Sequence, residues 1–137
     1  MNQLKEWKEA RAAGQEALEK VDRGMKLLKK ASSWGFMDLF SDSFFLSFIK
    51  RRKIKKANKV MKEIVEALHN LNRELGDVNV DLPEEINDKL SDKLLDMWFD
   101  NIFTDIRVQG ELKRARKKLK EIRKALMEVM KTLDHQR

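Results

Sequence analysis

Glu66 and His69 stand three residues apart, the Glu-x-x-His spacing that puts a carboxylate and an imidazole on one helical face, as helical di-iron sites use them. Such a site needs a second copy and further glutamates. The positions that echo Glu66 and His69 later in the chain are Lys124 and Met127, so the set is incomplete. His69 therefore reads as a solvated or edge residue, and His135, in a terminal tail, reads the same way. Asp38/Asp42 and Asp96/Asp100 are pairs four apart, each on one helical face. Carboxylates so placed suit Mg2+ or Ca2+, and equally serve as solubilising charge or as partners for lysine and arginine. The second use is the expected one. There is no Gly-rich phosphate loop. The absence of cysteine excludes thiol catalysis, disulfides and zinc-thiolate sites, and two poorly placed histidines leave no nucleophilic triad. The expectation is a protein that is not an enzyme, with no catalytic residue, metal, cofactor or small-molecule substrate.

Two basic runs are the other residues with chemical potential: Lys50-Arg51-Arg52-Lys53-Ile54-Lys55-Lys56 and Lys113-Arg114-Ala115-Arg116-Lys117-Lys118. Nucleic-acid binding would use them as phosphate contacts, but interleaved stacking aromatics and a helix-turn-helix pattern are missing. The first run directly follows Phe44-Phe45-Leu46-Ser47-Phe48-Ile49. Aromatic plus polybasic is how an anchor to an anionic membrane surface reads. The second run is preceded by Arg107-Val108-Gln109-Gly110 and lacks the Phe cluster. The competing reading makes Phe44, Phe45, Phe48 and Ile49, with Met97, a core or an interface with a partner or a second copy.

Charge is segregated along the chain. The net charge of +7 conceals nine acidic and two basic residues over 76–106, set between basic blocks at 50–75 and 107–137. Internal compensation within a folded bundle is the simplest account. Charged residues make up 39% of the chain and hydrophobic ones 42%, with one Pro, a composition suited to long helices with a core. The first residues lack an apolar stretch, so no secretory leader is expected, and no run is apolar enough to span a bilayer. A cytoplasmic protein, or one peripheral to the membrane, is expected.

The elements follow from periodicity. Residues 2–31 carry Trp7, Ala10, Gly14, Ala17, Val21, Gly24, Leu28 and Ala31 at alternating spacings of three and four, a heptad seam rich in small residues. After Ser32-Ser33, the stretch 34–49 is apolar around more than half its circumference. The stem 50–75 places Ile54, Ala57, Met61, Ile64, Leu68, Leu71 and Leu75 on one seam, with Gly76 in the place of a C-terminal cap. Residues 76–83 form a linker, in which Val78, Val80 and Leu82 alternate with polar residues as a short extended stretch would. Asp81 and Glu84 around Pro83 mark a helix start. An aromatic-acidic stretch at 84–106 then leads into a basic stem at 107–134, with Leu112, Ala115, Leu119, Ile122, Leu126, Val129 and Leu133 on its seam.

The two stems match position for position at an offset of 58, and Phe36-Met37-Asp38-Leu39-Phe40-Ser41-Asp42 resembles Phe99-Asp100-Asn101-Ile102-Phe103-Thr104-Asp105. This reads as an internal pseudo-repeat of an aromatic head and a basic stem. The fold expected over 1–137 is a single all-α domain. It would be an elongated helical bundle or antiparallel coiled coil of three long helices, the second and third bent or broken near 46–50 and 107–111, with the aromatic heads packed together.

Several stretches carry a resemblance: Trp34-Gly35, Lys50 to Asn58, Glu74-Leu75-Gly76-Asp77-Val78, and above all Trp98-Phe99-Asp100-Asn101-Ile102-Phe103-Thr104-Asp105 with Val108-Gln109. Over roughly residues 30–115 the chain resembles a family of uncharacterised small helical proteins of Gram-positive bacteria. That family is Gly-rich around 39–45, where this chain has Phe and Ser. The resemblance implies a bacterial cytoplasmic protein and no mechanism. The leading function is a protein–protein interaction module, scaffold or adaptor that self-associates. A peripheral protein of anionic membrane surfaces is the alternative, and nucleic-acid binding through the basic stems is the third.

Overall fold

The computed structural model describes residues 3–33, 44–78, 80, 82–107 and 112–135, with side chains over 4–29, at 52, and over 55–78, 80, 82–105 and 113–134. Among them the chain is all-α. Helix α1 spans Gln3–Ser33, α2 Phe44–Asp77, α3 Glu84–Lys89, α4 Asp92–Arg107 and α5 Leu112–His135. The heads at 34–43 lie outside the described residues, and so does their expected packing against the second head.

Helix α1 forms because its seam offers a continuous apolar stripe. Ala10, Ala13, Gly14, Ala17, Val21, Gly24 and Leu28 are buried, and lysines and glutamates fill the other angles. Its small residues set the spacing of the bundle. A Cβ built on Gly24 would lie 2.8 Å from Ile64 Cδ1, 3.1 Å from Met61 Cε and 3.4 Å from Leu119 Cδ1. One on Gly14 would lie 2.5 Å from Met130 Sδ. The two stems thus converge on the same glycine stripe. Lys20 pairs with Glu63 on α2 at 3.6 Å, Arg11 with Asp134 on α5 at 3.2 Å, and Asp22 with Arg123 at 2.7 Å. This pairing makes α2 and α5 antiparallel to α1 and parallel to each other. The matched seam residues Ala57 and Ala115, Met61 and Leu119, Ile64 and Ile122, Leu68 and Leu126, and Leu71 and Val129 are all buried. Each large one contributes roughly 1.5–3 kcal/mol by leaving water.

Four features depart from the sequence-based expectation. Helix α2 runs without a break through 46–50. It also continues past Gly76 to Asp77, so Gly76 lies inside its last turn, with open space where a Cβ would stand, rather than capping it. The described residues between Val78 and Pro83 carry no strand. The Val80 N–H donates to the Val78 carbonyl at 2.9 Å, a tight turn that buries Val78 and Leu82 against the core. Finally, the third helical region is divided at Ser91. The Pro83 carbonyl accepts the Ile86 and Asn87 N–H groups to start α3. Ser91 ends it: its hydroxyl donates to the Asp88 carbonyl at 2.9 Å and accepts the Leu94 N–H at 3.4 Å, which caps α4. Leu90 fills the corner and is buried. The bend or break expected near 107–111 falls on residues 108–111, outside the described ones.

Helix α4 packs on α2 and α5. Leu95 and Ile102 enter the core, and the Trp98 indole N–H donates to the Lys118 carbonyl at 3.4 Å. Asp105 is the buried charged residue among those described, 4% exposed, and it accepts from Lys118 Nζ at 2.7 Å.

Candidate functional site

The α2–α4 contact is built from two stripes. On α2, Lys55, Asn58, Lys62, His69 and Asn72 recur at spacings that keep one face, beside the buried seam. On α4, Asp92, Asp96, Phe99 and Phe103 do the same at spacings of four, three and four. The helices are antiparallel, so the acidic end of the α4 stripe meets His69 and the aromatic end meets the lysines.

At the first end, His69 lies between two carboxylates. Its Nδ1 is 2.7 Å from Asp92 Oδ1 and its Nε2 is 3.0 Å from Asp96 Oδ1, while Asn72 Nδ2 donates to Asp92 Oδ1 at 3.3 Å. Partial burial pulls the imidazole pKa down, but the hydrogen bonds to Asp92 and Asp96 outweigh it and hold the pKa above 6.5. The hydrogen bond from His69, with that from Asn72, lowers the Asp92 pKa. His69 is thus an edge residue, 27% exposed, and beyond that expectation it bridges two helices. Its partners are not Glu66, so the Glu-x-x-His spacing gathers no ligand set.

At the other end of the contact lies an open groove of about 920 Å³. Arg52, Lys55, Lys56, Lys59 and Lys62 line it from α2 together with Asn58, and Phe99 and Phe103 line it from α4. The two rings have centroids 5.9 Å apart and planes tilted by 40°. They are half-buried, and Phe99 also packs on the core. The Asn58 side-chain oxygen is buried with no hydrogen-bond partner among the described residues. The sequence reading of the basic stretch as lacking aromatics was a reading of neighbours in the chain. Folding supplies the aromatics from α4.

The predicted residues distribute as follows. Of the first basic run, Arg52, Lys55 and Lys56 face the groove, while the side chains of Lys50, Arg51 and Lys53 lie outside the described residues. The second run lines no part of the groove. Lys113, Arg114 and Lys117 are exposed, Arg116 is half-exposed, and Lys118 is turned inward to Asp105. Phe44, Phe45, Phe48 and Ile49 form the first turns of α2, with side chains outside the described residues. Met97 is 52% exposed on the outer face of α4, with Leu94 nearby at 38%.

The expected aspartate pairs are not brought together as a cation site: Asp96 binds His69, Asp100 is exposed, and Asp38 and Asp42 lie outside the described residues. A carboxylate trio does form elsewhere. Glu6 and Glu9 of α1 meet Glu74 of α2 with oxygens within 4.8 Å of one another. Desolvation, with repulsion from Glu9, Asp77 and Glu6, raises the Glu74 pKa. No described helix is long and apolar enough to cross a membrane. Comparison of the chain with protein families, curated proteins and solved structures returns no match.

Proposed function

We propose that the protein is a non-enzymatic interaction module of the cytoplasm whose α2–α4 groove takes an acidic, amphipathic helical segment of a partner protein. The observation that carries this is the juxtaposition of five cationic side chains with the Phe99–Phe103 pair. A helix laid in such a groove packs apolar residues against the rings and presents carboxylates to the lysines. From Arg52 to Lys62 the α2 wall extends about 15 Å, room for two to three turns of a docked helix. The occupant follows from the groove's shape. Rings recessed between helices suit a narrow segment better than a flat bilayer, which needs protruding apolar residues beside the cations. Tilted, half-buried rings offer edges more than the open faces on which bases stack.

The test is fluorescence anisotropy with a labelled acidic amphipathic peptide, run beside anionic vesicles and a single-stranded oligonucleotide. Binding of the peptide is expected, weakened at least about tenfold in Lys55→Glu/Lys59→Glu, where two attractive pairs become repulsive. Preference for vesicles or oligonucleotide over the peptide would overturn the reading in favour of those partners.

A second reading has its own observation. Leu94 and Met97 are exposed on α4 away from the groove, and self-association would cover them. Sedimentation of Met97→Lys against the parent chain tests this, with a fall in mass expected.

A further inference from the structure

We propose that His69 is a proton-operated latch that sets the width of the α2–α4 groove. The inference rests on the docking reading for its purpose, but its physical content lies in the free protein. Two ring nitrogens face two carboxylate oxygens, at 2.7 Å and 3.0 Å. An imidazolium donates to both. A neutral imidazole has one N–H, so one of the two contacts becomes a lone pair facing a lone pair. Deprotonation therefore removes one of the two attachments between His69 and α4.

The position of the latch couples it to the groove. Asp92 and Asp96 share their face of α4 with Phe99 and Phe103. Phe99 lies about 4.5 Å and Phe103 about 10.5 Å further along the helix axis from Asp96. Helix α4 is a rod of 16 residues, seated by Leu95 and Ile102 in the core and tied to α5 by the Asp105–Lys118 pair and by the Trp98 indole on the Lys118 carbonyl. Releasing a His69 contact lets its α2-facing side shift about these anchors, and both rings move relative to Lys55, Asn58 and Lys62.

The charged groups acting on the imidazole are Asp92 and Asp96 from α4, and Arg73 on its own helix acts on Asp92. Burial works against the charge and the two carboxylates work for it. The balance puts the transition above 6.5.

The experiment follows the ring signals of Phe99 and Phe103 and the imidazole signal of His69 by NMR in the free protein, from mildly acidic to mildly alkaline pH. In parallel, the affinity for the labelled acidic peptide is measured over the same range. Both ring signals are expected to shift with the midpoint of His69. Peptide affinity is expected to fall about two- to tenfold on deprotonation, the worth of one hydrogen bond. Asp92→Asn/Asp96→Asn, a change at exposed side chains, should lower the His69 midpoint and uncouple the rings from it. His69→Gln should abolish the pH response of both readouts. Ring signals that ignore the titration of His69, or that follow it equally in the double variant, would overturn the latch. Should the peptide bind at no pH, the docking reading fails, while the ring signals still decide the latch.

Discussion

Lys118 donates to Asp105 across the α4–α5 contact at 2.7 Å, and the aspartate is 4% exposed while the lysine keeps a path to water. The pair is therefore asymmetric. Removing the lysine strands a buried carboxylate, whereas neutralising the aspartate leaves a lysine that can turn outward. Lys118→Met is expected to lower unfolding stability by about 3–5 kcal/mol and Asp105→Asn by about 1–2 kcal/mol. Chemical denaturation of the two variants checks the order. Equal losses would mean that the carboxylate finds another partner.

Two glycines in helices should respond oppositely to the same change. At Gly76 nothing lies within 4 Å of an added Cβ, so alanine brings only its helix propensity. Gly76→Ala should raise stability by about 0.5–1 kcal/mol. At Gly24 the added methyl meets Ile64, Met61 and Leu119 at 2.8–3.4 Å. Overpacking of about 1–3 kcal/mol exceeds the propensity gain, so Gly24→Ala should cost a net ~1 kcal/mol. Thermal melts of the two variants should move in opposite directions.

The same contrast explains what the chain made legible. The seams of α1, α2 and α5 could be read directly, because a buried stripe imposes a period of three and four on residue type. The break at Ser91 was readable in principle, since a serine followed by an acidic residue is a helix-start signature, but the continuous aromatic stripe after it concealed the boundary. Gly76 was misread because a glycine near a helix end has the composition of a cap whether or not the backbone turns there. His69 and the groove were not legible in that way. Their meaning lies in Asp92, Asp96, Phe99 and Phe103, some 20 to 51 residues from the α2 positions they meet. Spacing along one helix says which side chains share a face, but not which face of another helix arrives opposite.

The His69 contacts also carry a stability signature. The imidazole pKa is raised in the folded state, so its contribution is fully present below 6.5 and is lost as pH rises through the higher folded value. Parent and His69→Gln proteins should accordingly differ in melting temperature at pH 6 and converge above the folded-state pKa. Melts across that range check the sign. A gap that widened with pH would mean that the neutral ring is the stabilising form.

Glu74 has a linkage of the same sign at lower pH, but here it is burial among carboxylates that raises the group. Its carboxyl is raised by desolvation and by Glu9, Asp77 and Glu6, with Arg73 opposing, so folding favours its protonated form. Stability attached to this group is present below 4.5 and declines as pH rises through the higher folded value. Above that point Glu74→Gln should melt at a higher temperature than the parent, because it removes one carboxylate from a trio whose oxygens lie within 4.8 Å. Below 4.5 the two should melt together. Adding Mg2+ or Ca2+ separates repulsion from ligation. If the trio is only repulsive, either cation leaves the difference in place beyond what matched ionic strength produces. If the parent rises to meet the variant at submillimolar cation, the three carboxylates form a binding site.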